Sequence, residues 1–362
     1  MSIAPEPLTF VDAERLKTSV AEIFRQLGLP ADDAAVVAHY LVLADLRGVG
    51  THGVSRIPIY AERLRRGLVR ARPQIRVTRP ASAAAHVDGD DGLGFVVARR
   101  ALHEAIEAAA TYGIGMAGVF NSTHFGMAAG YLLDAVEAGY AAFVFTNASP
   151  SMPVWGGRTP FLGTSPFAFG APGGNGSPPV ILDMATSVVA RGKIRRAMQK
   201  GEAIPAGWAL DADGRETTDA RRAYEGIVLP LGGPKGSGLS LMMEVLAGVM
   251  TGAAFGGEVA DQYRDRDRPQ NVGHNLIVFR PELFTDVSTY RARMDALVER
   301  ARACPRADEG QAILMPGEPE AGRMAERLVS GIPFTEGDIA MVREEAARVG
   351  LSLDADSLVK EH

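Results

Sequence analysis

The spacing of apolar positions divides this chain into helical ends and a mixed centre. Apolar residues recur at helical spacing from Phe10 to Gln26 and again, after Pro30, from Asp32 to Leu46. A third helix is predicted from Arg56 to Arg66, closed by Gly67. From Pro73 the texture changes to short apolar runs split by Gly and Pro. Gln74–Thr78 and Ala83–Val87 read as strands, and Phe95–Thr111 as a helix. Gly115–Asn121, Met127–Ala138 and Ala141–Thr146 follow as strand, helix and strand. Phe167–Gly170 and Val180–Met184 read as further strands, then Ser187–Gly201 as a helix. Residues 205–224 are polar and turn-rich, with a hairpin signal at Asp213-Gly214. A helix over Leu239–Met250 and a strand over Asn275–Phe279 complete the centre, and helices are predicted from Glu282 to Val349. The expected fold class is α/β. Residues 1–72 and 283–362 would form a helical domain from both chain ends, and 73–282 a mixed-sheet core that binds cofactor and substrate.

Composition narrows the function classes. Hydrophobic residues make up 46% and charged ones 22% of 362 residues, which is ordinary globular usage. The 38 Lys+Arg against 43 Asp+Glu give a net charge of −5, so no basic field points to nucleic acid. The single cysteine, Cys304, makes no internal disulfide and suits a reducing compartment. The opening MSIAPEPLTF has neither a basic nor an apolar leader segment, and the most apolar stretch, Leu239 to Phe255, is interrupted by Glu244. A cytoplasmic protein without a membrane partner is expected. No His pair has ligand spacing, so no metal site is expected.

Gly113-Ile114-Gly115-Met116-Ala117-Gly118 matches G-x-G-x-x-G. The dinucleotide motif needs a strand before it and a helix after it, and here that order is reversed. The match reads as incidental.

Other segments carry chemistry. In Thr51-His52-Gly53-Val54-Ser55-Arg56, His52 ends a glycine-rich turn. With Ser55 as N-cap and Pro58 in the first turn, His52 and Arg56 would face an anion at a helix start, and Tyr60 would share the face of Arg56. His124 lies in Asn121-Ser122-Thr123-His124-Phe125-Gly126, at the C-terminal end of a strand, where open sheets place ligands. Ser122 or Thr123 capping the next helix is the plainer role for that loop. His39 and His103 read as ordinary helix residues, and His86 and His274 carry no local signal. Gly163-Thr164-Ser165-Pro166 and Asp183-Met184-Ala185-Thr186-Ser187 read as stretches offering N–H groups and hydroxyls to a phosphate or ribose. Arg191, Lys193, Arg195 and Arg196 follow, either touching a 2′-phosphate or forming a solvated face. Leu229-Pro230-Leu231-Gly232-Gly233-Pro234-Lys235-Gly236-Ser237-Gly238 combines a bare backbone with a point charge, without the P-loop spacing.

These segments, together with Asp45–Tyr60, Pro205–Trp208 and Pro316–Glu318, stand in an order that resembles the malate/L-lactate dehydrogenase family of NAD(P)-dependent 2-oxo acid and imino acid oxidoreductases. The resemblance implies a non-Rossmann fold, a homodimer, NAD or NADP as cofactor, and a small carboxylate substrate. It implies His52 and His124 as catalytic residues, with Thr51, Arg56 and Tyr60 on the substrate side. It places Thr164, Asp183, Met184, Ala185, Thr186, Ser187, Pro234, Lys235, Gly317 and Glu318 along the cofactor. Thr164-Ser165-Pro166 departs from the family's usual Thr-Asn-Pro, and Lys235-Gly236-Ser237 from its frequent Lys-Gly-Tyr. The expected activity is hydride exchange between NAD(P)(H) and a 2-hydroxy acid or its 2-oxo acid. Reduction of an imino acid is the alternative, and a phosphate-binding transferase or a non-catalytic ligand-binding protein lies further off.

Overall fold

The computed structural model describes residues 7–360, so the first residues of the opening segment lie outside the described residues. The chain opens with strand β1 (Leu8–Val11), then helices α1 (Ala13–Gln26), α2 (Ala31–Leu46) and α3 (Ile57–Arg65). Phe10 therefore belongs to a strand and not to the first helix, which starts after Asp12, whose carboxylate accepts the Glu14 and Arg15 N–H groups. What overrides the helical spacing is tertiary: β1 pairs with Ile332–Thr335 near the other end of the chain.

The centre runs β2 (Arg76–Ala81), β3 (Ala84–Asp88), α4 (Gly94–Tyr112), β4 (Ile114–Ser122), α5 (Ala128–Glu137), β5 (Ala141–Thr146), β6 (Phe167–Ala171) and β7 (Val180–Met184). It continues with α6 (Arg191–Lys200), β8 (Ala209–Leu210), α7 (Ala220–Glu225), β9 (Ile227–Val228), α8 (Pro234–Met243) and β10 (Val272–Phe279). The chain closes with α9 (Val287–Arg302), α10 (Glu318–Ser330), β11 (Ile332–Thr335) and α11 (Glu336–Arg348). The closing segment is thus not purely helical, and β2 starts two residues later than the spacing suggests. The helix expected from Leu239 begins instead at Pro234 and widens into a π turn over Glu244–Val249.

A seven-stranded sheet in the order β2-β3-β4-β10-β5-β6-β7 forms the centre. Only β3 and β4 run parallel among its described pairs. The G-x-G-x-x-G glycines fall where the order of elements put them. Gly113 closes α4 at a φ of +83°, and Gly115 and Gly118 lie inside β4. A Cβ at Gly115 would overlap the Ala105 carbonyl, so this glycine lets α4 lie against the sheet.

One face of the sheet is dry. Ala142 and Val144 of β5, Ala168 of β6 and Leu276 and Val278 of β10 are buried in a core shared with α2, α4, α5 and α11. Phe143, Phe167, Phe169 and Phe279 alternate onto the other face, where the other three rings pack edge-on or tilted against Phe143 and all four stay half-buried. A second, smaller apolar cluster joins Val189, Ile194, Ile204, Ala209, Ala223 and Val228, so residues 188–228 pack mainly on themselves. The Asp213-Gly214 signal marks a turn there, with Asp211 N–H donating to Arg215 and Gly214 N–H to Asp211.

Candidate active site

Asp45, near the end of α2, builds the first wall. Its carboxylate is buried and accepts the Val54 N–H at 2.8 Å. Gly53 lies directly against it: a Cβ there would overlap the carboxyl group. Burial pushes the Asp45 carboxyl up to about 7. Residues 50–56 are thereby folded into two tight turns that lead into α3. Ser55 is not the helix cap. Its hydroxyl donates back to the Gly50 carbonyl at 2.7 Å, and Pro58 occupies the first turn of α3 as expected.

The turns hold Thr51, His52 and Arg56 together. Arg56 Nε donates to the Thr51 carbonyl at 2.6 Å and Nη1 to the Tyr263 hydroxyl at 2.6 Å. Both acceptors are uncharged, so these contacts bring no carboxylate to the half-buried guanidinium. Thr51 Oγ1 and His52 Nδ1 are 3.0 Å apart.

His124 comes from β4. Neither Ser122 nor Thr123 caps α5. Ser122 Oγ bonds the buried His274, and Thr123 Oγ1 accepts the Gly94 N–H at the start of α4. The start of α5 is served from elsewhere, by Asp183 Oδ2 accepting the Ala129 N–H at 2.8 Å. His124 is left free to turn toward His52, and the two rings stack at 5.5 Å. Tyr60 Oη stands 2.7 Å from His124 Nδ1, and the Gly126 N–H donates to that same nitrogen at 3.2 Å. A main-chain N–H can only donate, so Nδ1 is the acceptor and the ring proton sits on Nε2.

Burial, followed by the charge of Arg56, lowers the proton affinity of both imidazoles, His52 to about 3 and His124 well below its usual value. His274, fully buried beneath them, is likewise lowered to about 3 by burial. Its two nitrogens meet Thr146 and Ser122 hydroxyls at 2.8 Å, and its ring stacks on Phe125 at 4.6 Å. Sequence reasoning missed Asp45, Tyr263, Gln270 and His274. The glycine beside Asp45 gave no cue in the sequence, because their contact is a packing fact.

The cofactor-side segments meet around the sheet-edge strand β7. Thr186 N–H donates to Thr164, Val188 N–H to Leu229, and Leu231 N–H to Thr186. The Ile181 N–H donates to Pro316 at 2.9 Å, which brings Gly317 and Glu318 alongside. Here two expectations need correction. The helix does not begin at Ser187 but at Arg191, and the hydroxyls of Thr186 and Ser187 are buried and donate to the Ser165 and Val189 carbonyls. Those hydroxyls therefore serve the fold, and the Thr186 main chain is likewise tied to Thr164 and Leu231. Arg191 also turns inward, donating to the Tyr224 carbonyl and stacking on its ring, while Lys193, Arg195 and Arg196 are exposed.

Gly232, Gly233 and Gly317 have φ of +57°, +63° and +91°; Gly232 is open, Gly233 lies against the Trp155 ring and Gly317 against Ile181, and Pro234 and an exposed Lys235 open α8. Glu318 holds the neighbouring turn, accepting the Met315 N–H and pairing with Arg302. No group of three or more His, Cys, Asp or Glu suited to a metal occurs among the described residues.

The malate/L-lactate dehydrogenase family model matches residues 11–343. A malate dehydrogenase of Pyrococcus horikoshii is 37% identical over 94% of this chain and 96% of its own length. A (2R)-3-sulfolactate dehydrogenase (NADP(+)) of Chromohalobacter salexigens is 37% identical over 80% and 84%. A ureidoglycolate dehydrogenase (NAD(+)) of Escherichia coli is 32% identical over 90% and 93%. Among solved structures, the sulfolactate dehydrogenase of Methanocaldococcus jannaschii superposes with a TM-score of 0.90 at 34% identity, covering 97% of this chain and 100% of that one. The Δ1-piperideine-2-carboxylate reductase of Pseudomonas syringae gives 0.84 at 29%, covering 93% and 99%. The chain belongs to the malate/L-lactate dehydrogenase family of oxidoreductases.

Proposed function

We propose that this chain is an NAD- or NADP-dependent dehydrogenase that interconverts a small 2-hydroxy acid and its 2-oxo acid. The observation that carries the reading is the un-neutralised Arg56 beside two neutral imidazoles. The nicotinamide, when bound, exchanges a hydride with the carbon next to the carboxylate. Thr164, the backbone of Asp183 to Ser187, Pro234, Lys235, Gly317 and Glu318 would hold the nucleotide. No doubly wound strand–helix cradle is used, since the G-x-G-x-x-G glycines serve helix closure and sheet packing.

Arg56 holds the substrate carboxylate through its remaining nitrogen, Nη2, with Thr51 at its side. His52 is the acid/base, giving a proton to the substrate oxygen on reduction and taking it on oxidation. Burial is the larger cause that lowers His52 and the Arg56 charge the second; a bound carboxylate offsets that charge, relieves the second part and raises the proton affinity of His52. His124, its Nδ1 engaged by Tyr60 and Gly126, presents Nε2–H as a fixed donor that orients the oxygen. A cyclic imino acid is the second reading, favoured by the likeness to a solved imino acid reductase and by a clamp that needs only a carboxylate.

A homodimer fits the apolar surface. Leu241, Val245 and Val249 recur at helical spacing and are exposed, next to the sheet face that carries the half-buried Phe143 and Phe279. No helix among the described residues is long and apolar enough to cross a membrane. The free, exposed Cys304 suits a reducing compartment, the cytoplasm in this reading.

The test follows nicotinamide absorbance with NADH and NADPH separately. Pyruvate, oxaloacetate, 2-oxoglutarate, 3-sulfopyruvate, 2,3-diketogulonate and a cyclic imino acid are offered for reduction, and malate, lactate and ureidoglycolate for oxidation. Turnover of an oxo or hydroxy acid is expected, and a preference for NADPH would give the exposed Lys193, Arg195 and Arg196 a 2′-phosphate to hold. Folded protein showing neither turnover nor quenching of its fluorescence by NADH would overturn the reading.

A further inference from the structure

Tyr263 lies in a stretch without helix or strand, 207 positions along the chain from Arg56, yet their side chains meet. Its backbone position is built rather than incidental. The buried Arg63 of α3 reaches the carbonyls of Gln262, Asp265 and Arg268, at 3.4, 2.9 and 3.1 Å. Asp261 accepts the Tyr263 and Arg264 N–H groups, and Asp265 accepts the Asp261 N–H. Gln270, at the far end of the same stretch, accepts the His124 N–H at 3.4 Å and anchors itself on the Ala260 carbonyl. One strapped loop therefore reaches both Arg56 and His124.

The chemistry of the Tyr263 hydroxyl then decides its role. Its oxygen accepts from Arg56 Nη1 at 2.6 Å, and its ring lies over the guanidinium at 5.7 Å. An arginine has no acceptor, so the phenolic hydrogen points away from Arg56. Tyr263 is 51% exposed, and the contact with Arg56 leaves its hydroxyl hydrogen available to an anion gathered by the Arg56 charge. A tyrosine serving only to shield Arg56 would need no hydroxyl.

We propose that Tyr263 is a substrate-binding residue, donating its phenolic hydrogen to the same carboxylate that Arg56 holds through Nη2. The proposal rests on the carboxylate-clamp reading of Arg56. It makes the clamp a two-donor site, one donor charged and one neutral, with an aromatic wall that fixes the plane of the bound group.

The test compares wild type with Tyr263→Phe, which keeps the ring and removes only the hydroxyl. Three quantities are measured: KM and kcat for the best acid of the panel, calorimetric affinity of oxalate for the enzyme–NADH complex, and fluorescence quenching by NADH alone. The expected result is a roughly tenfold rise in KM and in the oxalate Kd, the loss of about 1.4 kcal/mol. The fall in kcat should be smaller than the rise in KM, and NADH affinity should be unchanged. Unchanged KM and oxalate Kd would overturn the role of Tyr263 while leaving the dehydrogenase reading intact. Conversely, oxalate binding that weakens tenfold in an enzyme that turns over no oxo or hydroxy acid would support Tyr263 and sink that reaction. An equal loss of NADH affinity would overturn the assignment, because a hydroxyl that serves only the carboxylate leaves NADH binding unchanged when it is removed.

Discussion

The two walls of the site are made of different material. On the proposed substrate side the contacts run through side-chain atoms: the Asp45 carboxylate under Val54, Arg56 on Thr51 and Tyr263, Tyr60 on His124. On the proposed cofactor side the segments are tied to one another by main chain, with Val188 on Leu229, Leu231 on Thr186 and Ile181 on Pro316, each at 2.9 Å. The one place where hydroxyls were expected to reach out, Thr186 and Ser187, turns them inward. A wall of side chains can be retuned one residue at a time, which suits a family whose members bear the names of different acids. A wall tied by main chain keeps one shape, and that shape depends on glycines such as Gly317.

That contrast can be broken experimentally. The largest effect is expected for His52→Ala, with kcat down by about 10³-fold, within the usual range for a positioned acid/base, and NADH quenching unchanged. His124→Ala should lose less, because His124 orients and does not carry the proton. The opposite ranking in stopped-flow single turnovers would move the proton to His124. Next comes Gly53→Ala. The added methyl overlaps the Asp45 carboxylate, so the turn must shift, and a displacement of about 1 Å costs on the order of 10²-fold in kcat/KM for the acid. If this variant instead weakened NADH and spared the acid, the walls would not be separable. The smallest effect is expected for Gly317→Ala on the other wall. A φ of +91° and a Cβ 2.8 Å from the Ile181 side chain should raise KM for the nicotinamide about tenfold, roughly 1.4 kcal/mol, with KM for the acid unchanged.

Much of the architecture was legible because it rests on local periodicity. Ala141–Thr146 and Val180–Met184 form strands over the very ranges expected, and α2, α4 and α5 fall within two residues of theirs. Phe10 was misread because its apolar spacing suits either state, and only Ile332–Thr335, at the other end of the chain, makes it a strand. The start of α6 was misread for a related reason. Residues 187–190 are tied to the 229–231 stretch by Val188 and the Ser187–Pro230 bridge, a contact that no local pattern announces.

The candidate site divides along the same line. The sequence by itself determined which residue types could do the chemistry, and the motif order brought His52, Arg56, Tyr60 and His124 together as candidates. It also dismissed the G-x-G-x-x-G match, because the order of helix and strand around it is a local property. Only the tertiary structure decided which of these side chains touch. It put Tyr263 on Arg56, seated Asp45 where Gly53 leaves room, and held the His124 ring with its proton on Nε2. The physical reason is that proton position, charge pairing and burial are set by neighbours distant in sequence, while periodicity and turn chemistry are set by neighbours a few residues away.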